Sequence, residues 1–161
     1  DAVRAGLLGR WKERLSRSEA SRVAHTAQMR RLLSEAPVQT IQPIEDAHSV
    51  YLRLPVLMRS KQEKESVCRL SLAQGLGVSA MYPSAIGQVA ELSDTLANEP
   101  VPQSALIAER LVTLPTHELV SDEDVKRICS TIIRHLRDPA AGPQSVSGPS
   151  QCCGAEVSSS S

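Results

Sequence analysis

The stretch LVTLPTHELVSDEDVKRICSTIIRHL, residues 111–136, decides the fold. Its second half predicts one amphipathic helix. Val125, Ile128, Cys129, Ile132, Ile133 and Leu136 recur at helical spacing and share a single face. Ser121 is a suitable N-cap. Asp122, Glu123 and Asp124 load the first turn with negative charge, while Arg134, His135 and Arg137 load the last turn with positive charge. Both placements complement the helix dipole. The first half, Leu111 to Leu114, reads as a short strand closed by Pro115. A strand and a capped amphipathic helix, so close together, point to a sheet with helices laid on it.

Working outward, His48 to Arg59 reads as a second and stronger strand. Val50, Leu52, Leu54, Val56 and Met58 alternate with Tyr51, Arg53, Pro55, Leu57 and Arg59, a period of two. The aliphatic face is expected to bury. Pro55 removes a ladder donor, which predicts an edge strand or a bulge. Ser60 to Gln74 then predicts a helix, with Ser60 and Glu63 spaced as a capping box. Gly75 and Gly77 supply its stop. Val78 to Met81 is a short strand candidate ended by Tyr82 and Pro83. Gly87 to Ala97 reads as a short helix, Pro100 and Pro102 as a turn, and Ser104 to Glu109 as one or two helical turns.

Before these elements, Ala2 to Leu33 predicts one long helix, with room for a break. Leu7, Leu8, Trp11 and Leu15 form an apolar stripe on it, and Val23, Ala24, Ala27 and Met29 are weaker apolar positions. Pro37 ends the helix, and Gln39 to Ala47 is a connector. From Pro139 to Ser161 the chain is mostly Ser, Gly, Pro and Ala, a composition that buries too little surface to order itself. The reading is a two-layer α/β (α+β) domain, a short sheet covered by helices. It divides into a linking helix at 1–36, a domain at 37–138 and a tail at 139–161. Pattern alone leaves strand direction open.

Composition narrows the function classes. The chain has 161 residues, 41% hydrophobic and 22% charged, with a formal net charge of zero. Such a balance is ordinary for a soluble domain and sets up no global field for nucleic acid or an anionic membrane. Aromatic residues make up 2%, with no Phe, so the core must be aliphatic. No apolar run approaches the roughly 20 residues that span a bilayer, and no signal peptide is visible. The chain opens at Asp1 inside a helical pattern, as a fragment or cleaved product would. Cys68 and Cys129 read as small core residues on apolar faces, and the adjacent Cys152 and Cys153 lie in the polar tail. None has metal or redox spacing, which favours a reducing, cytoplasmic location.

The chemistry-bearing residues form no complete set. His25, His48, His117 and His135 make no metal pair at helical spacing and read as surface or structural groups. His117, Ser121 and Asp122 carry the letters of a nucleophilic triad, but Ser121 is better used as a cap. Gly75-Leu76-Gly77 follows a helix and reads as a C-cap rather than a phosphate loop. Lys12, Lys61, Lys64 and Lys126 all sit in charged contexts and are expected to be solvated. A Schiff-base lysine needs a desolvated pocket or a cationic neighbour. Tyr82-Pro83-Ser84, at the end of a strand, is the local cluster best placed to carry function.

Three stretches in this domain resemble the small domain of the DegT/DnrJ/StrS sugar aminotransferases. Tyr51-Leu52-Arg53-Leu54-Pro55-Val56 is similar to its first strand. Gly75-Leu76-Gly77-Val78 through Met81-Tyr82-Pro83-Ser84-Ala85-Ile86 is similar to its turn ending in Tyr-Pro. Ala108 to His117, followed by Val120 to Val125, is similar to its strand, Pro turn and final helix. Ala5-Gly6-Leu7-Leu8 through Leu15 resembles the helix linking its two domains. The likeness covers roughly residues 1–137.

The resemblance implies an aspartate-aminotransferase type fold, of which this chain is the small C-terminal domain. It implies PLP held by a separate large domain, a homodimer with shared active sites, and amino transfer to a nucleotide-linked keto sugar for polysaccharide biosynthesis. Tyr82 and Ser84 carry over as substrate-proximal. Many members place a histidine shortly after the Tyr-Pro pair, where this chain has Ser84, Ala85 and Ile86. The PLP lysine and large domain are not in this sequence, so no catalytic residue, metal or cofactor is expected on the chain alone. The alternative is a non-catalytic interaction module that kept the fold. An exposed stripe of Leu7, Leu8, Trp11 and Leu15 favours a domain parted from its neighbour, whereas a buried one favours the module.

Overall fold

The computed structural model describes residues 9–45, 47, 49–82, 84–86, 89 and 102–138. Along these residues run α1 (Trp11–Leu33), β1 (Gln39–Thr40), β2 (Arg53–Leu57), α2 (Lys61–Gln74), α3 (Pro102–Arg110), β3 (Leu111–Pro115) and α4 (Asp122–Arg137). Leu7, Leu8, His48, Pro83, Cys152, Cys153, most of the Gly87 to Ala97 helix and the 139–161 tail lie outside the described residues.

The strands form one antiparallel sheet in the order β1-β2-β3. Leu54 pairs with Leu114 and Val56 with Val112, so these four side chains share a face. All four are buried, and they meet Met29 and Leu33 of α1, Val67 of α2, and Val125, Ile128, Cys129, Ile132 and Leu136 of α4 in one aliphatic core. Each such side chain contributes about 1.5–3 kcal/mol by leaving water. The two-layer α/β arrangement expected from the pattern is what forms, and the strand direction it left open is antiparallel throughout.

Pro55 sits on the central strand, not on an edge strand or a bulge. Met58 N–H donates to the Arg110 carbonyl at 3.0 Å. Because bonded pairs alternate in an antiparallel ladder, Val56 and Leu54 are bonded towards β3, whereas Pro55 faces the other way. On that other side β1 stops at Thr40, opposite Val56, so no strand partner requires a Pro55 N–H. Gln39 and Thr40, read from sequence as connector, supply this short strand.

β2 is also shorter than the alternation suggested. Leu52 is 72% exposed. Pairing begins only at Arg53 opposite Pro115, and Leu52 lies in the bend before it. There its carbonyl accepts from Arg22 Nη1 at 2.8 Å and Thr116 Oγ1 at 2.9 Å. The Val78 to Met81 strand reduces to one bridge, Ser79 to Thr113.

The helix ends follow their caps. Ser60 Oγ accepts from Glu63 N–H at 3.2 Å, but Glu63 Oε2 accepts from Arg59 N–H at 3.0 Å, one residue earlier than a capping box. Gly75 closes α2 at φ 64, its N–H donating to the Ser71 carbonyl. Ser121 and Asp124 form a complete capping box on α4. α1 starts after Arg10, which is left-handed at φ 55. It buries His25, Thr26, Met29 and Leu33, while Trp11 is 50% and Leu15 48% exposed. The two described members of the apolar stripe, Trp11 and Leu15, therefore face away from this core.

Candidate functional site

The segment from Gly75 to Ile86 is built by backbone anchoring. Gly77 has φ 69, and a Cβ there would meet Pro115 Cγ at 3.3 Å, so the left-handed turn and the close approach to β3 both require glycine. Arg53 Nη2 donates to the Gly77 carbonyl at 2.5 Å, and its Nε donates to Thr113 Oγ1 at 2.8 Å. Burial lowers the Arg53 pKa from its ordinary value. The buried Ser71 hydroxyl donates to the Val78 carbonyl at 3.1 Å and accepts from Val78 N–H at 2.8 Å. Ser79 and Thr113 then exchange backbone hydrogen bonds at 3.1 and 2.8 Å.

Past this anchored stretch the side chains turn outward. Met81 and Ile86 are exposed, Tyr82 is 53% exposed, Ser84 is half-buried and Ala85 is buried. The two residues expected near substrate thus share one turn. Tyr82 offers a phenol that can donate or accept, and Ser84 a hydroxyl.

Lys64 corrects the expectation that all four lysines are solvated. Lys12, Lys61 and Lys126 are exposed, but Lys64 is 8% exposed. Its Nζ donates to the Ala108 carbonyl at 2.5 Å and to the Tyr82 carbonyl at 3.3 Å. Burial is the main cause that pushes its pKa below the ordinary lysine value. Helical spacing contained the clue: Lys64 lies three residues before Val67 and seven before Ser71, both buried on the same face of α2. The charged run around it masked that face. Ser71 was missed for a related reason, since a serine inside a helix carries no sequence mark of burial.

The other candidates resolve into structural roles. His25 Nδ1 lies 3.0 Å from the Thr116 carbonyl, which can only accept, so that nitrogen carries the proton. His135 Nε2 lies 2.7 Å from Ser66 Oγ. Ser121 Oγ donates to Asp124 Oδ2 at 2.7 Å, and His117 Nδ1 has no hydrogen-bond partner among the described residues, so no triad forms. Cys129 is buried, Cys68 is partly buried, and neither is in a disulfide. Among the described residues no group of three or more His, Cys, Asp or Glu could hold a metal. No described helix is long and apolar enough to cross a membrane.

The described lysines do not fit a PLP site. Three are exposed, and the Lys64 amine is already committed to two carbonyls. A groove of about 370 Å³ between α1 and α4, with Leu32, Cys129 and Ile133 in its wall, includes no residue of the Tyr82 turn and only the exposed Lys126.

A long helix leads into a short antiparallel sheet, with helices over one face and an anchored turn at its side. The model for the DegT/DnrJ/EryC1/StrS aminotransferase family matches residues 2–133, and the chain belongs to that family. Among solved structures it is similar to Spr1654 from Streptococcus pneumoniae, assigned as a sugar aminotransferase and solved in PMP form. The TM-score is 0.69 at 16% identity, covering 78% of this chain and 32% of that one. The aminotransferase TlmJ from Streptoalloteichus hindustanus gives 0.69 at 20% identity, covering 80% and 34%. PseC from Helicobacter pylori, an aminotransferase involved in pseudoaminic acid biosynthesis, gives 0.68 at 16% identity, covering 78% and 34%. The Streptococcus pneumoniae protein was also solved in PLP form. The chain therefore spans about a third of the length of these structures. No curated protein sequence matches it.

Proposed function

We propose that this chain is the small C-terminal domain of a PLP-dependent aminotransferase that aminates a nucleotide-linked keto sugar in polysaccharide biosynthesis, and that it is inactive alone. In this reading residues 1–36 are the linking helix, 37–138 the small domain and 139–161 a tail. PLP belongs to a large domain that packs beside it in a cytoplasmic homodimer. Tyr82 and Ser84 are the substrate-proximal groups.

The observation that carries the reading is the uncovered apolar start of α1. Trp11 and Leu15 are each about half exposed where a free-standing module would pack them inside. The lysine set supports inactivity, because none of the described amines is both desolvated and unengaged.

Two measurements test this. Borohydride reduction of the chain mixed with PLP, followed by mass spectrometry, is expected to give no specific adduct. A stoichiometric adduct on Lys12, Lys61, Lys64 or Lys126 would sink the inactive-alone claim. The DNA immediately upstream is expected to encode a large domain in frame. A stop codon in frame there, with the chain expressed by itself, would favour an interaction module.

A further inference from the structure

We propose that Lys64 is a positioning residue for the Tyr82 turn: its buried ammonium holds the Tyr82 carbonyl to the C-terminal end of α3 and so fixes where Tyr82 and Ser84 point. Ala108 lies in the last turn of α3, whose final four carbonyls have no partner within the helix. One of them, that of Arg110, accepts from Met58 N–H. That of Ala108 accepts from Lys64 Nζ at 2.5 Å. A cation is favoured at this negative end of the helix. The same ammonium reaches the Tyr82 carbonyl at 3.3 Å, so one side chain from α2 joins two segments 26 residues apart in sequence (Tyr82 and Ala108).

The chemistry of the pair of acceptors explains why a lysine stands here. No described carboxylate forms an ion pair with Lys64. A buried ammonium needs hydrogen-bond partners, and two carbonyls take two of its three donors without adding a negative charge beside the turn. The main-chain bonds of the preceding stretch end at Ser79. Beyond it, Lys64 Nζ donates to the Tyr82 carbonyl, and Ala85 is engaged as well. Loss of that contact loosens the Tyr82 end of the turn while leaving the sheet and the α1–α4 packing in place. The functional consequence rests on the reading of Tyr82 as substrate-facing, whereas the tether itself does not.

The test is amide hydrogen exchange, read by mass spectrometry on the full 161-residue chain. Lys64→Met is expected to speed exchange in peptides covering 80–86 by about tenfold or more, with those covering 111–137 unchanged. Lys64→Arg, which keeps a donating cation of similar reach, is expected to restore most of the protection. Unchanged exchange at 80–86 in a folded Lys64→Met protein overturns the proposal, and so does loosening that arginine leaves unrescued. Should Lys64→Met unfold, amine acetylation of the unsubstituted chain decides. Lys64 is then expected to react about tenfold more slowly than the exposed Lys61, and equal rates overturn the tether. Failure of Tyr82 as a substrate contact would appear instead as unaltered KM when Tyr82→Phe is made in the enzyme that includes the large domain, with this exchange pattern intact.

Discussion

Ser121 and Asp124 close the start of α4 with a reciprocal pair of bonds. Ser121 Oγ accepts from Asp124 N–H, and Asp124 Oδ2 accepts from Ser121 N–H, both at 3.1 Å. Hydrogen bonds from the Ser121 side chain and backbone hold the Asp124 pKa below the ordinary carboxylate value. A lowered folded pKa means the contribution is complete above the ordinary Asp range and is lost as pH falls through the lowered value. Ser121→Ala is expected to cost about 1 kcal/mol at neutral pH. In urea titrations the difference from the parent chain should shrink as the pH is taken below the ordinary Asp range, and a pH-independent difference would contradict the capping account. At the same scale Cys129 shows how burial silences a group. Its thiol pKa is pushed up to about 12 by desolvation, so it serves the core as a small apolar side chain rather than as a nucleophile.

At the scale of the element, α2 and its exit decide where the Tyr82 turn lies. Both Gly75 and Gly77 are left-handed, but only Gly77 has a neighbour within reach of a new Cβ. Gly75→Ala should therefore cost about 1 kcal/mol from backbone strain. Gly77→Ala meets Pro115 as well and should cost more, about 2 kcal/mol or above. Equal losses of unfolding free energy for the two would show that the approach to Pro115 is not tight. Elements were also where sequence reading succeeded best. The α4 periodicity, its cap and the Gly75 stop all appeared as expected, because each depends on residues within a few positions of one another. Leu52 and Pro55 came out differently because their surroundings are set by the lengths of β1 and β3, which lie elsewhere in the chain.

For the whole molecule, the start of α1 stands uncovered by the core that its other end helps to build. Its C-terminal half is committed to the core through Met29 and Leu33, while Trp11 and Leu15 stand in solvent. Exposed apolar patches of this kind seek partners. In sedimentation velocity the isolated chain is expected to self-associate with rising concentration, and Trp11→Glu is expected to return it to monomer without loss of helicity. A chain that stays monomeric with Trp11 in place would count against the reading of α1 as a domain joint.

By itself the sequence determined the layer architecture, the ends of α2 and α4, and the family likeness, since these rest on periodicity, caps and short motifs that local physics enforces. It also placed Tyr82 and Ser84 in one turn as candidates, without any means of saying what holds them. Only the tertiary structure decided that the sheet is antiparallel with Pro55 at its centre, that Leu52 lies outside the ladder, and that Lys64 is buried between two carbonyls. Each of these depends on a partner distant in sequence, Thr40 and Thr113 for Pro55, Arg22 and Thr116 for Leu52, Ala108 and Tyr82 for Lys64. A lysine in a charged run looks solvated until the chain folds a helix end over it.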